Sequence, residues 1–188
     1  MLLRNRAPSI ENTPPAAAQG YAHLKPTAIA VMRWLAASGV DYVLVGAVAR
    51  AIRGDAQAEG PVAIVPAPYG RNLDRLARAL TSAHAQRRDV PAPAGQAGIS
   101  GRGQALKFTP EMLVQPQRWA LLCGEHELDI EGRPAGSPSF QELLYEAVRF
   151  EPAPGVTVEV AAPEDVEHYD HVRRTGVVPE IVVNRTVS

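Results

Sequence analysis

A single cysteine, Cys123, stands in the whole chain. No internal disulfide is open to it, and no cysteine-based zinc site can form within one copy. The residue falls in the apolar run Trp119-Ala120-Leu121-Leu122-Cys123, where a buried, inert thiol is expected. Lysine is nearly absent as well. Seventeen of the nineteen basic residues are arginine, and Lys25 and Lys107 are the exceptions. With so much Ala, Gly and Pro, this looks like the coding bias of a GC-rich genome, so the arginine excess says little about phosphate. There is no surplus of charge of either sign. Net charge is -1 and the isoelectric point is near 6.5, which lends no bulk support to RNA as a partner. No run approaches the roughly 18 apolar residues of a membrane span. Met1 to Gly20 lacks the apolar core of a signal peptide, so a cytoplasmic protein without membrane contact is expected.

What is present is enough for one domain. The 188 residues are 46% hydrophobic, which suits a globular chain with a real core. Residues 1–22 are rich in Pro, Ala, Asn and Ser and read as a flexible tail. The domain proper is expected over 23–176, with 177–188 as a C-terminal extension. Pro26 fits the first position of a helix with an apolar face of Ile29, Met32, Trp34, Leu35 and Ala36, ended by Ser38-Gly39. Asn72 to Ser82 places Leu73, Leu76, Ala77 and Leu80 on one helix face and Arg71, Asp74, Arg75 and Arg78 mostly on the other. Those arginines read as a solvated face.

His84 to Gln104 is the least patterned internal stretch, with one edge strand expected within 90–100. Its G-I-S-G-R-G lacks P-loop spacing, and no helix pattern follows it. Thr109-Pro110 opens a short helix with Thr109 as its cap. Trp119–Cys123 and 127–130 read as a hairpin about Gly124-Glu125-His126. Ser139 starts a helix with Phe140, Leu143, Leu144 and Ala147 inward. Val156–Val160 is a last strand, and 162–176 a last helix closed by Gly176. This alternation of strands and helices predicts an α/β (α+β) protein, a mixed sheet flanked by helices.

The stretch from Asp41 to Pro66, D-Y-V-L-V-G-A-V-A-R-A-I-R-G-D-A-Q-A-E-G-P-V-A-I-V-P, organises the rest. It reads as strand, glycine turn, short helix closed by Gly54, loop, and buried strand. Together with H-E-L-D-I and A-P-E-D-V-E-H-Y, it resembles the core of the nucleotidyltransferase fold, in its small type found in antibiotic nucleotidyltransferases and in toxins of toxin–antitoxin pairs. The likeness spans about Ala28 to Arg174. It implies a nucleotidyltransferase-like sheet and a Gly-Ser turn for nucleotide phosphates, here Gly46-Ala47. It further implies two metal-binding carboxylates on the second central strand. A third carboxylate, matched by Asp129, would help activate the acceptor hydroxyl.

The departures from that pattern are as informative as the likeness. Pro61 and Ala63 stand where the two metal-binding aspartates are implied, and neither can ligate a metal. Glu59 lies nominally on the same face, but Gly60-Pro61 interrupts the strand between, so it is a weak substitute. Asp55 reads as a turn residue. Asp129 sits between apolar neighbours. Inward, it needs a partner; outward, it is an ordinary solvated acid of an alternating strand, and the pattern leaves both open. Gly46-Ala47 lacks the hydroxyl of Gly-Ser and fits close packing of helix on sheet. The last helix is acidic where relatives carry a phosphate-binding base. Glu164, Asp165, Glu167 and Asp170 open it, and Arg173 and Arg174 come a turn later. His168 and His171 share a face with Glu164 without zinc-protease spacing, and His126 and His23 have no visible partner.

The expectation is therefore a catalytically degenerate nucleotidyltransferase-fold protein that acts by binding, as a regulatory protein, as a partner of another protein or as a homodimer. On this reading nucleotide binding is disfavoured and no cofactor is needed. The alternative is an active toxin-type enzyme that moves a nucleoside monophosphate from a triphosphate to RNA or protein. It would use Mg²⁺ and a site rearranged around Glu59 and Asp129. Two further readings stay open: a deliberate inactivation at Ala63, which Pro61 argues against, and an unrelated α+β binding module.

Overall fold

The structure, a computed structural model, describes residues 7–89 and 105–179. Its centre is β1 (Tyr42–Val45), buried along its length, as is all of β2 (Val62–Pro66) except Pro66. Continuous apolar runs of this kind belong to strands covered on both faces. The two pair antiparallel, Val43 opposite Val65 and Val45 opposite Ala63, so residues 62–65 lie beside 41–45. The turn from β1 into α2 (Gly46–Ile52) uses a positive φ of 71° at Gly46. β5 (His126–Ile130) runs parallel to β2, and β7 (Val156–Val160) parallel to β1. β4 (Trp119–Cys123) joins β5 through a two-residue turn in which Gly124 takes φ 66°. With β3 (Gln86–Arg87) and β6 (Val148–Ala153) at the edges, the described residues form a seven-stranded mixed sheet, ordered β3-β4-β5-β2-β1-β7-β6. Helices flank it, as the alternating pattern predicts.

α1 (Pro26–Ala37) packs on β7, β5 and β2, burying Ile29, Met32, Trp34 and Leu35. α3 (Gly70–Ser82) buries Leu73, Leu76, Ala77 and Leu80 as expected. It is tied down by Asn72, a buried amide that accepts from the Asp41 N–H at 2.7 Å. The same amide donates to the Asp41 and Ala67 carbonyls at 2.8 and 2.9 Å. α4 (Pro110–Leu113) is one turn long. α6 (Pro163–Thr175) packs against α2 and β1 and ends at Gly176 in the left-handed conformation, whose N–H bonds the Val172 carbonyl at 2.7 Å.

Several expectations need correction. Residues 7–22 do not behave as a free tail. Trp34 Nε1 donates to the Pro8 carbonyl at 3.1 Å, Arg33 pairs with Glu11 at 3.2 Å, and the Ala18 N–H bonds Pro152 at 2.8 Å. Ile10, Ala17 and Tyr21 supply the apolar contact that holds the segment on the core. β6 was not legible, because its outward face is exposed and charged and mimics a loop. An edge strand is found at 86–87; the strand expected within 90–100 lies outside the described residues, as do 180–188 of the expected extension. Thr109 makes no side-chain cap, and His126 belongs to β5 rather than to the turn.

α5 (Phe140–Glu146) starts where expected. Ser139 Oγ accepts from the Glu142 N–H, and the Glu142 carboxylate accepts from the Ser139 N–H at 2.6 Å, a reciprocal capping box. Leu144, however, is partly exposed and not part of the inward face. Ser139→Ala should remove about 1 kcal/mol, lowering the thermal midpoint by about 2–4 °C. Calorimetry on the variant checks this.

Candidate functional site

Because β2 and β5 run parallel in register, Ala63 sits directly beside Asp129. Side chains repeat every two residues along a strand, so Asp129 and the following Glu131 point to the same face. Asp129 is fully buried, which settles its direction as inward. A carboxylate there is tenable only with cations and hydrogen bonds around it, and three arginines supply them. Arg88 Nη2 donates to Oδ1 at 2.6 Å, and Arg118 Nη2 donates to Oδ2 at 2.7 Å. Arg173 Nη2 lies 3.7 Å from the same Oδ2 and donates to Glu131 Oε1. Arg118 Nε stands 3.8 Å from that Glu131 oxygen.

Each arginine is placed by a different element. The Arg88 N–H bonds the Ala120 carbonyl of β4 at 2.9 Å, which extends the edge pairing past β3. Arg118 immediately precedes β4, and Arg173 comes from the last turn of α6. Glu131 is anchored by its own N–H to the Ile64 carbonyl at 2.9 Å. Burial pushes the Glu131 carboxyl above its ordinary pKa; Arg173 and Arg118 oppose that shift and Asp129 adds to it. Burial works against the Arg173 cation too, but Glu131 and Asp129 outweigh it and hold the guanidinium pKa above its usual value.

The guanidinium of Arg173 also reaches the Gly46 turn. A Cβ on Gly46 would lie 3.2 and 3.4 Å from its Nη2 and Nη1, and 3.0 Å from the Ala63 Cβ. The space beside Gly46 and Ala63, into which an acid at 63 would project, is therefore lined by a side-chain cation. Ala47 is half-buried, its Cβ 2.9 Å from where a Gly60 Cβ would stand. Gly46-Ala47 thus serves close approach of helix and strand, and α2 is only seven residues long.

The other residues singled out lie elsewhere. Pro61 immediately precedes β2 and is half-buried. Glu59 is exposed and pairs with Lys25 at 3.2 Å. Asp55 accepts from Arg50 at 2.9 Å and from the Gln57 N–H at 3.2 Å, the turn role expected. Asp170 pairs with Arg50 at 3.2 Å and so links α6 to α2. His23 Nε2 lies 2.9 Å from the Ala51 carbonyl, a partner the sequence did not reveal. On the α6 face shared by Glu164, His168 and His171, Glu164 is exposed and His171 half-buried, and only His168 is withdrawn from solvent. His168 is buried, 3.0 Å from Ser137 Oγ, and burial lowers its pKa. Among the described residues, no three His, Cys, Asp or Glu side chains are placed to hold a metal ion. Cys123 is buried, and burial pushes its thiol up to about 12.

Magnesium, the ion the resemblance implies, does not fit the Asp129 cluster. It wants about six hard oxygens in an octahedron. Here two carboxylates already accept from guanidinium groups, and three cations within hydrogen-bonding or ion-pair distance would repel a divalent ion. Sequence reasoning missed this grouping. Arg88 lies in the least patterned internal stretch, Arg118 just outside an apolar run, and Arg173 a turn after the acids of the last helix, so none is marked as a partner of Asp129 by its neighbours. The available signal was Asp129 itself, since an inward acid between Leu128 and Ile130 demands a cation.

Comparison with known protein families, with characterised proteins and with solved structures found no match to this chain. Among the described residues, no helix is long and apolar enough to cross a membrane.

Proposed function

We propose that this chain is a nucleotidyltransferase-like protein without metal-dependent transfer chemistry, which acts by binding, as a regulatory or partner protein. One observation carries the reading. Asp129, which sits beside Ala63, and Glu131, two residues on, are bonded by Arg88, Arg118 and Arg173, and Arg173 also lies against Gly46. In-line nucleotidyl transfer needs two divalent ions about 4 Å apart to clamp the attacking and leaving oxygens. Guanidinium groups neutralise the same carboxylates but offer no open coordination position and no bound water to ionise. What remains for such a scaffold is recognition of a ligand, of another protein or of a second copy.

The test is a thermal-stability titration with each nucleoside triphosphate, with Mg²⁺ or Mn²⁺ and without, paired with a radiolabel transfer assay on RNA and protein acceptors. A ligand at 100 times its dissociation constant would stabilise by about 2.7 kcal/mol. The expected result is no metal-dependent stabilisation and no transfer. Label transfer that Asp129→Ala abolishes would establish the active, toxin-type alternative instead.

A further inference from the structure

The Asp129 cluster holds more cation than buried anion. Its inner layer sets the guanidinium groups of Arg88, Arg118 and Arg173 against the carboxylates of Asp129 and Glu131. Two further acids stand beside it: Asp170, which acts on Arg173 but is paired with Arg50 at 3.2 Å, and Glu127, which is half-exposed and 3.7 Å from Arg88 Nε, too far for a hydrogen bond. A solvated acid at that range offsets little of a buried charge. The Nε–H of Arg88, of Arg118 and of Arg173 is buried, and among the described residues each lacks a hydrogen-bond partner. Orphan buried donors are rare in folded proteins, and each calls for a water, an ion or a ligand. These three side chains keep 20, 20 and 18% of their surface, at atoms other than the buried Nε.

We propose that this cluster is a metal-free site for one phosphoryl group carried by a small molecule, either inorganic phosphate or a monoester. The inference rests on the reading of the chain as a binding protein without transfer chemistry, and it names the ligand class. The three guanidinium forks arrive from separate parts of the chain, one just after β3, one just before β4 and one in α6. A tetrahedral oxyanion has oxygens enough to accept from all of them, whereas a carboxylate has two. Arginine suits phosphate through paired N–H···O bonds and needs no metal to do so. Asp170 and Glu127 beside the cluster, with a net charge of -1 overall, disfavour a polyanion and favour a small ligand.

The experiment is calorimetric titration of the full chain with inorganic phosphate in excess EDTA, at low ionic strength matched with chloride. Glycerol phosphate and a nucleoside 5′-monophosphate follow. One-to-one binding with a dissociation constant of about 1 mM or tighter is expected. Glu131→Gln keeps the acceptor for Arg173 and removes one negative charge, so it should tighten phosphate binding about tenfold. A purely structural cluster would not respond in that direction. Arg173→Gln should weaken binding by about the same factor, with the fold of each variant verified by its melting curve. Equal affinity for phosphate and both esters supports the site with the phosphoryl group alone as its determinant, and tighter nucleotide binding supports it with a nucleoside monophosphate as the source. Absence of binding up to about 10 mM phosphate, or a Glu131→Gln affinity that is unchanged or lower, overturns the proposal and leaves the reading without transfer chemistry standing. Binding that requires Mg²⁺ overturns both.

Discussion

Asp129→Ala is expected to destabilise the protein by about 3–5 kcal/mol, the range found when one partner of a buried charge pair is removed. The magnitude follows from what is left behind. Arg88 and Arg118 each donate a short hydrogen bond to this one carboxylate, at 2.6 and 2.7 Å, and both side chains are four-fifths buried. Without Asp129 their cations face Ala63, Ala120 and each other. Glu131, with a single negative charge, cannot balance all three arginines. The midpoint should fall by about 6 °C or more, taking about 2–4 °C per kcal/mol for a chain of this size. Chemical denaturation with an unchanged slope would verify that the loss is one of stability. Asp129→Asn keeps the shape and one acceptor but loses the charge, and should fall between wild type and Ala. A loss below about 1 kcal/mol would mean that the arginines are solvated and the cluster is not a buried network.

Gly46→Ala carries the second large effect, and Gly155→Ala is its control. Both glycines take φ 71°. A left-handed backbone costs a side-chain-bearing residue about 1–2 kcal/mol, so both variants lose that much. They differ in what the new Cβ meets. At Gly155 nothing among the described residues lies within 4 Å, whereas at Gly46 the Ala63 Cβ is 3.0 Å away and Arg173 Nη2 3.2 Å away. The backbone of β2 cannot yield cheaply, since Ala63 is locked between β1 and β5. Overpacking adds about 1–3 kcal/mol, so Gly46→Ala should cost about 2–5 kcal/mol in all. Urea unfolding of the pair isolates the packing part by difference. Equal costs would show that the close contact of α2, β2 and Arg173 is not maintained in solution.

Much of the architecture was legible because its determinants are local. The apolar run Tyr42–Val45, the turn glycine, Ser139 with Glu142 three residues on, Pro26 and Pro163 in first turns and Gly176 as a stop each act within a few residues. β6 escaped because Val148, Arg149 and Glu151 are exposed on an edge, so no alternation of buried and polar residues marks it. Residues 7–22 escaped for a related reason. Their attachment depends on single contacts, Pro8 to Trp34 and Ala18 to Pro152, whose partners are 26 and 134 residues away.

The site divides in the same way. That Pro61 and Ala63 cannot hold a metal is a matter of residue type, and the sequence alone determined it. Whether Asp129 points inward depends on strand register, which its immediate neighbours did not decide. The cations that answer it come from positions 88, 118 and 173, up to 44 residues away along the chain. Only the parallel pairing of β2 with β5 and the docking of α6 on β1 bring them to one carboxylate. Charge acts through space within a few ångströms, while a sequence records only neighbours along the chain. Residue chemistry was therefore readable from the string of letters, and the pairing of those charges was decided by the tertiary structure.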